Sequence, residues 1–318
     1  MQSHGTFNRP ELTRIEAEKH MRKNVILVTG AGTGIGKLTA QSLAEAGHIV
    51  YATMRDVHGR NQPRADALRA LAEAKDLQLH PLELDVLSQD SADAAAATIV
   101  REQGQLDVVI QNAGHLVVGP TEAFTPEEMT KVFDTNLFGA QRVNRAALPY
   151  LRAQEAGLML WVSSSTTKGG FPPFLGPYGA AKAAMDSLAV TLAYEIARFG
   201  IETSIVVPGA FTRGTEHFPN AGKPADTERA AAYARYDGVM DRIGERLSEL
   251  TPDDADPQAV ADEIVRIVAL PSGERPMRSV IDFVGDGARE VLDVSERVRI
   301  EFAQRIGMGD LLEARARR

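Results

Sequence analysis

The sequence predicts an α/β protein built on one doubly wound parallel sheet. From residue 24 onward, short β-branched and apolar runs alternate with longer Ala-rich segments of helical period. The apolar runs are mostly continuous, which is typical of strands whose two faces are both covered by helices. Polar or glycine-rich residues follow the strands, and in parallel sheets these strand ends meet at one edge, where ligands bind.

The strands are predicted where β-branched and aliphatic residues cluster, as in the runs VILV, IVYA and SIVV. Each run is too short for a helix of ordinary length and is bounded by glycine or polar residues. In chain order, the predicted strands cover residues 25–29, 49–53, 79–84, 107–110, 158–162, 201–207 and 279–284.

The helices are predicted in the Ala-rich segments between these strands. Gly47 ends the first helix, and Pro126 opens the longest one. In chain order, the predicted helices cover residues 37–46, 64–74, 92–102, 126 to about 153, 178–199 and 257–270. We expect one domain over residues 24–290 with a substrate lid at about 210–256, a polar extension at 1–23, and a C-terminal helical tail at 291–318.

Composition excludes several classes of protein. A net charge of −8 argues against a nucleic-acid partner bound by neutralising its phosphates. The absence of cysteine excludes disulfides, thiolate metal sites and a cysteine nucleophile, and it fits a reducing, cytoplasmic setting. No apolar run approaches the ~20 residues that cross a bilayer, so no membrane partner is expected.

The stretch VTGAGTGIGK at residues 28–37 is rich in glycine, yet it fits neither of two common phosphate-binding patterns. The pattern G-x-G-x-x-G needs a third glycine at Ile35 or Lys37. The P-loop pattern needs glycine at Ala31 and Ser or Thr at Leu38. The glycines still favour a tight turn that brings the backbone close to an anion at a helix N-terminus.

Motifs in a fixed order resemble those of the short-chain dehydrogenase/reductase family. They include Thr29-Gly30-x-x-x-Gly34-x-Gly36, the NAG motif at 112–114, and Tyr178-x-x-x-Lys182. The resemblance covers about residues 25–284. Within the family, the chain resembles steroid-dehydrogenase-like bacterial members. It implies a Rossmann fold and an NAD(P)-dependent oxidoreductase that interconverts a ketone or aldehyde and an alcohol by hydride transfer. A non-catalytic NADP-binding sensor on the same fold is the alternative of another class.

The resemblance implies a catalytic tetrad. Tyr178 is the expected general acid/base, and Lys182 lies four residues later on the same helical face. The ammonium, with an oxidised nicotinamide, is expected to lower the tyrosine pKa from its ordinary value of about 10. Ser165, thirteen positions before Tyr178, is the expected donor to the substrate oxygen, with Ser164 as the alternative. Asn136 is expected to hold a water of the proton relay, to satisfy backbone groups in a kinked helix, or both.

The predicted cofactor is NADP(H), with NAD the less favoured option. Met54 lies where many NAD-binding folds place the acid that accepts the ribose hydroxyls, and methionine cannot do so. Arg55 follows and can clamp a 2′-phosphate. Asp56 leaves NAD open, since a one-residue bulge would bring it round to the ribose.

The cofactor-binding residues implied by the resemblance surround the strand ends, and no metal is expected. They are Gly30, Thr33, Gly34, Ile35, Gly36, Arg55, Asp85, Val86, Asn112, Ala113, Gly114, Tyr178, Lys182, Pro208, Gly209 and Thr212, with Thr215 as the fallback for Thr212.

The expected substrate is a small-molecule carbonyl compound or secondary alcohol of fairly apolar character. The candidate lining residues are apolar or aromatic with two histidines: Phe211, Phe218, Tyr233, Tyr236, His217 and His115. Ordinary packing of a lid helix explains each of them equally well. The family resemblance also implies a homo-oligomer that pairs the helices at 126–153 and 178–199 between subunits.

Overall fold

The computed structural model describes residues 23–211, 218–253 and 255–315. Within these ranges, a seven-stranded sheet has the order β3-β2-β1-β4-β5-β6-β7, and every neighbouring pair is parallel. The strands are β1 (Val25–Val28), β2 (Ile49–Met54), β3 (Leu79–Glu83), β4 (Val108–Gln111), β5 (Gly157–Val162), β6 (Ile201–Pro208) and β7 (Arg278–Ile281). The predicted doubly wound α/β fold in a single domain is therefore confirmed.

The helices alternate with these strands along the chain. They are α1 (Gly34–Glu45), α2 (Gln62–Lys75), α3 (Gln89–Gln103), α4 (Pro126–Phe133), α5 (Gly139–Gln154), α6 (Gly176–Ala197), α7 (Thr227–Ala231), α8 (Val239–Leu250), α9 (Gln258–Ala269) and α10 (Ala288–Arg305). In this part of the chain, no helix is long and apolar enough to cross a membrane.

Helices cover both faces of the sheet. Side chains of α1, α2 and α9 pack on one face, and those of α3, α5 and α6 pack on the other. In β1, Ile26 and Val28 belong to the first layer while Val25 and Leu27 belong to the second, and all four are buried. This two-sided burial explains why the strand sequences are apolar without alternation.

The strand order places the functional edge of the sheet. From β1 the chain winds outward through β2 and β3, then returns to β4 on the other side of β1. The carboxyl ends of β1 and β4 therefore flank the switch point, where doubly wound sheets leave a crevice.

The long helix predicted from residue 126 to about 153 is broken in two. Between α4 and α5 the backbone forms a π-helical turn over Asp134–Phe138. The side chain of Asn136 lies inside this turn, where its amide nitrogen donates to the Val132 carbonyl oxygen at 2.9 Å. A side chain inserted into the helical hydrogen-bond ladder is a recognised cause of such a break.

Other boundaries differ by a few residues. Helix α1 begins at Gly34, inside the glycine-rich stretch, rather than at residue 37. Strand β7 ends at Ile281, before the predicted residue 284. The C-terminal tail contains α10, and beyond it the backbone amide of Arg315 donates to the Ala197 carbonyl oxygen at 2.8 Å. The N-terminal extension lies outside the described residues except for Lys23.

Candidate active site

A cleft of about 1340 Å³ opens at the carboxyl ends of the strands. Every described residue of the predicted site lines it, apart from Asn136, which lies beneath its floor. These lining residues are Gly30, Thr33, Gly34, Ile35, Gly36, Arg55, Asp85, Val86, Asn112, Ala113, Gly114, Ser165, Tyr178, Lys182, Pro208 and Gly209. Thr212 and its fallback Thr215 lie outside the described residues.

The glycine-rich loop needs its glycines for two separate reasons. Gly30 and Gly34 have φ angles of 65° and 53°, a region that other L residues rarely adopt. Gly36 lacks room instead, because a Cβ there would lie 2.3 Å from Asn112 Nδ2 and 2.5 Å from the Gly30 carbonyl oxygen. The loop therefore packs its backbone directly against β4 and leaves α1 pointing its N-terminus into the cleft.

Hydrogen bonds join this loop to the NAG motif after β4. The Thr29 hydroxyl accepts from the backbone amides of Asn112 and Ala113 at 2.9 and 3.0 Å, and it donates to the Ile110 carbonyl oxygen at 3.1 Å. The side-chain amide of Asn112 donates to the Thr29 carbonyl oxygen at 2.8 Å. These bonds hold the two strand ends of the switch point in a fixed relation.

Tyr178 and Lys182 lie in the first turns of α6 and are both almost fully buried at the cleft floor. The Lys182 ammonium donates to the Val162 carbonyl oxygen at 2.9 Å, at the end of β5. The helix thus places both side chains beside the strand end from which the serine run at 163–165 departs.

Burial dominates the electrostatics of this pair. It raises the pKa of Tyr178 to about 12, while a hydrogen bond between the side chains of Ser164 and Tyr178 acts in the opposite direction. Burial also lowers the pKa of Lys182 to about 8. The lowering expected from the ammonium together with an oxidised nicotinamide concerns the cofactor-bound site, and it stays a prediction.

The serine in contact with Tyr178 is Ser164, one residue before the predicted Ser165. The Ser164 hydroxyl also accepts from the Thr166 hydroxyl at 2.9 Å, and Ser164 precedes a 3₁₀ turn over Ser165–Thr167. Ser165 lines the same cleft and is buried. Both serines face the site, but the side-chain hydrogen bond to Tyr178 involves Ser164.

Asn136 acts on the backbone below the site. Its amide nitrogen donates to the carbonyl oxygens of Val132 and His115, and its Oδ1 accepts from the His115 amide at 3.2 Å. A Cβ on Gly114 would lie 2.8 Å from Asn136 Oδ1 and 3.5 Å from Lys182 Nζ. The structural part of its expected role is therefore observed directly, and only a glycine at 114 leaves space between the amide and the ammonium.

The two charged residues that follow β2, Arg55 and Asp56, lie in different surroundings. Arg55 is exposed at the cleft rim, whereas Asp56 has a φ of 55° and its carboxylate accepts from the Arg60 amide at 2.8 Å, within its own turn. Glu83 fixes this turn, because its two carboxylate oxygens accept from the amides of Asp56 and Val57. The bulge that would carry Asp56 into the cleft is not formed.

Sequence reasoning missed two lining residues near Arg55, namely Asn61 and Arg64. Both lie at the start of α2, where the sequence shows only an ordinary polar helix start. Their place in the cleft depends on how α2 packs against the glycine-rich loop, which no local pattern encodes.

The predicted lid residues divide into two groups. Phe211 and Phe218 line the cleft, as does His115. Tyr233 and Tyr236 do not line it, because the Tyr233 hydroxyl donates to Glu122 and the Tyr236 ring packs edge-on against Phe174 at 6.1 Å. His217 lies outside the described residues.

A family model described as short chain dehydrogenase matches residues 24–224. This match spans the sheet from β1 to β6 together with the glycine-rich loop, the NAG motif and the Tyr178–Lys182 pair. The chain belongs to the short-chain dehydrogenase family. It is accordingly an NAD(P)-dependent oxidoreductase with a Rossmann fold.

Relatives of this short-chain dehydrogenase include enzymes with named substrates. It is 37% identical over 194 residues to 3-ketodihydrosphingosine reductase of Bacteroides thetaiotaomicron, covering 61% of this chain and 66% of that one. It is 33% identical over 219 residues to estradiol 17-beta-dehydrogenase 1 of Rattus norvegicus, covering 68% and 62%. Each match therefore spans no more than two thirds of the relative's own length.

The crystal structure of a short-chain dehydrogenase from Streptomyces avermitilis has the same architecture. It superposes with a TM-score of 0.68 at 29% identity and covers 91% of this chain and 98% of that one. Gly36 allows α1 to pack closely against the end of β4, and the first residues of α1 line the cleft, where a helix N-terminus can hold the pyrophosphate of a dinucleotide. The residues of this short-chain dehydrogenase thus suit a nicotinamide cofactor.

Proposed function

We propose that this short-chain dehydrogenase uses NADP(H) to interconvert a bulky apolar ketone and its secondary alcohol, with Tyr178 as the general acid/base. The observation that carries the proposal is the buried cluster at the cleft floor. There the Tyr178 phenol is hydrogen-bonded to Ser164, with Lys182 one helical turn away. A hydroxyl donor, a proton donor and a cation in one desolvated site suit proton exchange with a substrate oxygen.

When bound, the nicotinamide cofactor supplies the hydride in reduction and accepts it in oxidation. The chain supplies the proton. In reduction, the Tyr178 phenol donates its proton to the substrate oxygen, and a pKa of about 12 keeps that phenol protonated at neutral pH. The Lys182 ammonium then stabilises the phenolate that remains, and Asn136 orders the backbone from which a water can relay the next proton.

Ser164 is the better candidate for the hydroxyl that polarises the substrate oxygen. Its contact with Tyr178 puts both hydroxyls within reach of one substrate atom, as a shared hydrogen-bonding site requires. The comparison of Ser164→Ala with Ser165→Ala tests this choice. We expect kcat/KM to fall about 100-fold or more for Ser164→Ala and less than about tenfold for Ser165→Ala, and the reverse order would restore Ser165.

The preference for NADP(H) over NAD(H) rests on the turn after β2. Arg55 is exposed at the cleft rim, and the carboxylate of Asp56 accepts a hydrogen bond within its own turn. An arginine with no competing carboxylate favours a phosphate over a ribose hydroxyl. Equal affinity for NADPH and NADH would contradict this preference.

The apolar character of the substrate is supported by apolar side chains that line the cleft. They are those of Phe171, Leu175, Phe218, Ile243 and Leu247, and Phe171 is 71% exposed to solvent. Apolar side chains that line a cleft favour an apolar ligand, because binding removes both apolar surfaces from water. Two relatives are named for large apolar compounds, 3-ketodihydrosphingosine and estradiol.

A panel of ketones graded by apolar size, followed by oxidation of NADPH, tests the reaction and the substrate class together. We expect kcat/KM to rise with apolar size and to fall about 1000-fold in Tyr178→Phe, while NADPH affinity changes less than about threefold. Full activity of Tyr178→Phe would refute its role. A preference for small polar carbonyls would refute the substrate class.

We also propose a homo-oligomer in which α5 and α6 pair between subunits. The outer face of α6 exposes the small residues Ala180, Ser187 and Thr191, over which another helix can approach closely. Light scattering should show an oligomer for the wild type and a monomer for Ser187→Arg. A monomeric wild type at micromolar concentration would contradict the proposal.

A further inference from the structure

Arg64, in the first turn of α2, lies across the outer side of the glycine-rich loop. Its Cδ is 3.6 Å from the point that a Cβ on Gly32 would occupy, and the Met54 sulfur is 3.4 Å from the same point. Gly32 is therefore the glycine over which this arginine passes. Arg64 and Arg55 line the same end of the cleft, where β2 terminates.

A buried amide joins these two arginines. Arg64 Nη1 donates to Asn61 Oδ1 at 2.8 Å, and Asn61 Nδ2 donates to the Arg55 carbonyl oxygen at 2.6 Å. Asn61 is only 6% exposed. The Asn61 amide thus fixes the position of the Arg64 guanidinium relative to the backbone of Arg55. The Arg64 side chain therefore loses less conformational entropy when it binds a ligand.

Three nearby carboxylates have partners other than these two arginines. Asp56 accepts from the Arg60 amide, and Glu83 accepts from the amides of Asp56 and Val57. Asp66, two residues after Arg64, is paired with Arg69 at 2.6 Å.

We propose that Arg64 is a second specificity-determining residue, which binds the 2′-phosphate of NADP(H) together with Arg55. A phosphate monoester carries close to two negative charges at neutral pH and offers three acceptor oxygens, which is more than one guanidinium satisfies. The inference rests on the proposed NADP(H) preference.

The test measures cofactor binding rather than turnover, so it does not depend on the substrate. Titration calorimetry on the full chain compares NADPH with NADH, and adenosine 2′,5′-bisphosphate with 5′-AMP, in the wild type, Arg64→Gln and Arg69→Gln. Arg69 lies on the same helix and is the matched control, since it is exposed and paired with Asp66. Thermal unfolding establishes that each variant is folded.

We expect Arg64→Gln to weaken NADPH and the bisphosphate about 10- to 100-fold, as for the loss of a charge-assisted hydrogen bond. NADH and 5′-AMP should change less than twofold, Arg69→Gln should bind as the wild type does, and Arg64→Lys should recover part of the loss. Equal weakening of NADPH and NADH, or no weakening of either, overturns the role of Arg64 while leaving the NADP(H) preference intact. A wild type without preference for NADPH overturns both proposals.

Discussion

Replacing Lys182 by Met should make the stability difference between variant and wild type depend steeply on pH. The Lys182 side chain is 4% exposed, and its ammonium donates to the Val162 carbonyl oxygen. Burial lowers its pKa from 10.5 to about 8. A drop of this size corresponds to about 3 kcal/mol of cost for holding the charged form in the folded protein.

The sign of the pH dependence follows from where the proton is bound. Below pH 8, the folded and unfolded chains both carry the ammonium, and the folded protein bears the whole cost. Between about pH 8 and 10.5, the unfolded chain keeps a proton that the folded chain has lost, so the wild type gains stability as pH rises. Relative to Lys182→Met, the wild type should therefore gain about 3 kcal/mol across this window.

Other consequences of the substitution do not share this pH dependence. Loss of the hydrogen bond to Val162 costs the variant about 1 kcal/mol at every pH, and a thioether of similar length retains most of the apolar packing. The raised pKa of Tyr178, at about 12, affects stability between about pH 10 and 12, so measurements below pH 10 avoid it. Only the change with pH in the stability difference between the wild type and Lys182→Met tests the lowered pKa of Lys182.

Urea unfolding of the cofactor-free protein at several values of pH from 7 to 10 measures this slope. Trp161, the one tryptophan of the sequence, is fully buried beside Val162 and provides the fluorescence signal. Lys75→Met, at an exposed lysine, controls for the loss of one positive charge. A constant difference between Lys182→Met and the wild type, or one that moves in favour of the variant as pH rises, would refute the argument.

Three further substitutions test how the site is held. Asp186→Asn should cost about 3–5 kcal/mol in urea unfolding, because the largely buried Arg278 loses a carboxylate that its two nitrogens contact at 2.7 and 2.8 Å; a loss below about 1 kcal/mol would contradict this. Gly36→Ala should weaken NADPH at least tenfold in calorimetry, because its Cβ would overlap Asn112, and wild-type affinity would show that the loop adapts. Asn136→Ala should destabilise the fold by about 2–3 kcal/mol, since three hydrogen bonds to backbone groups are lost; an unchanged urea midpoint would mean that water replaces them.

The overall fold could be predicted because its signals are local and repeated. Continuous apolar strands and Ala-rich helices recur along the chain, so an error at one boundary leaves the topology unchanged. The break in the long helix was only partly foreseen. Asn136 has low helix propensity, but the π-helical turn depends on its hydrogen bonds to His115, which lies twenty-one residues earlier in the chain.

The candidate site was predictable where a motif carries its own geometry, as Tyr178-x-x-x-Lys182 does on one helix. It was less so where position depends on loop length. Counting thirteen residues back from Tyr178 gives Ser165, but the intervening loop contains a 3₁₀ turn and a left-handed Phe174 at φ 67°, so counting does not fix which serine faces the tyrosine. Arg64 had no local signal at all.

Contacts of helix α6 determine which serine lies against Tyr178. The Ser163 hydroxyl donates to Asp186 Oδ1 at 3.1 Å, and Asp186 is held in turn by Arg278 of β7. Asp186 lies two turns after Tyr178 on α6. The helix therefore contacts two consecutive serines, Ser163 through Asp186 and Ser164 through Tyr178. Of the two buried charges on this face, Asp186 has a bidentate guanidinium partner, whereas the ammonium of Lys182 donates to a carbonyl oxygen. The paired carboxylate of Asp186 therefore stabilises the geometry. Lys182, whose pKa is lowered by burial, lies one helical turn from Tyr178, the proposed proton donor.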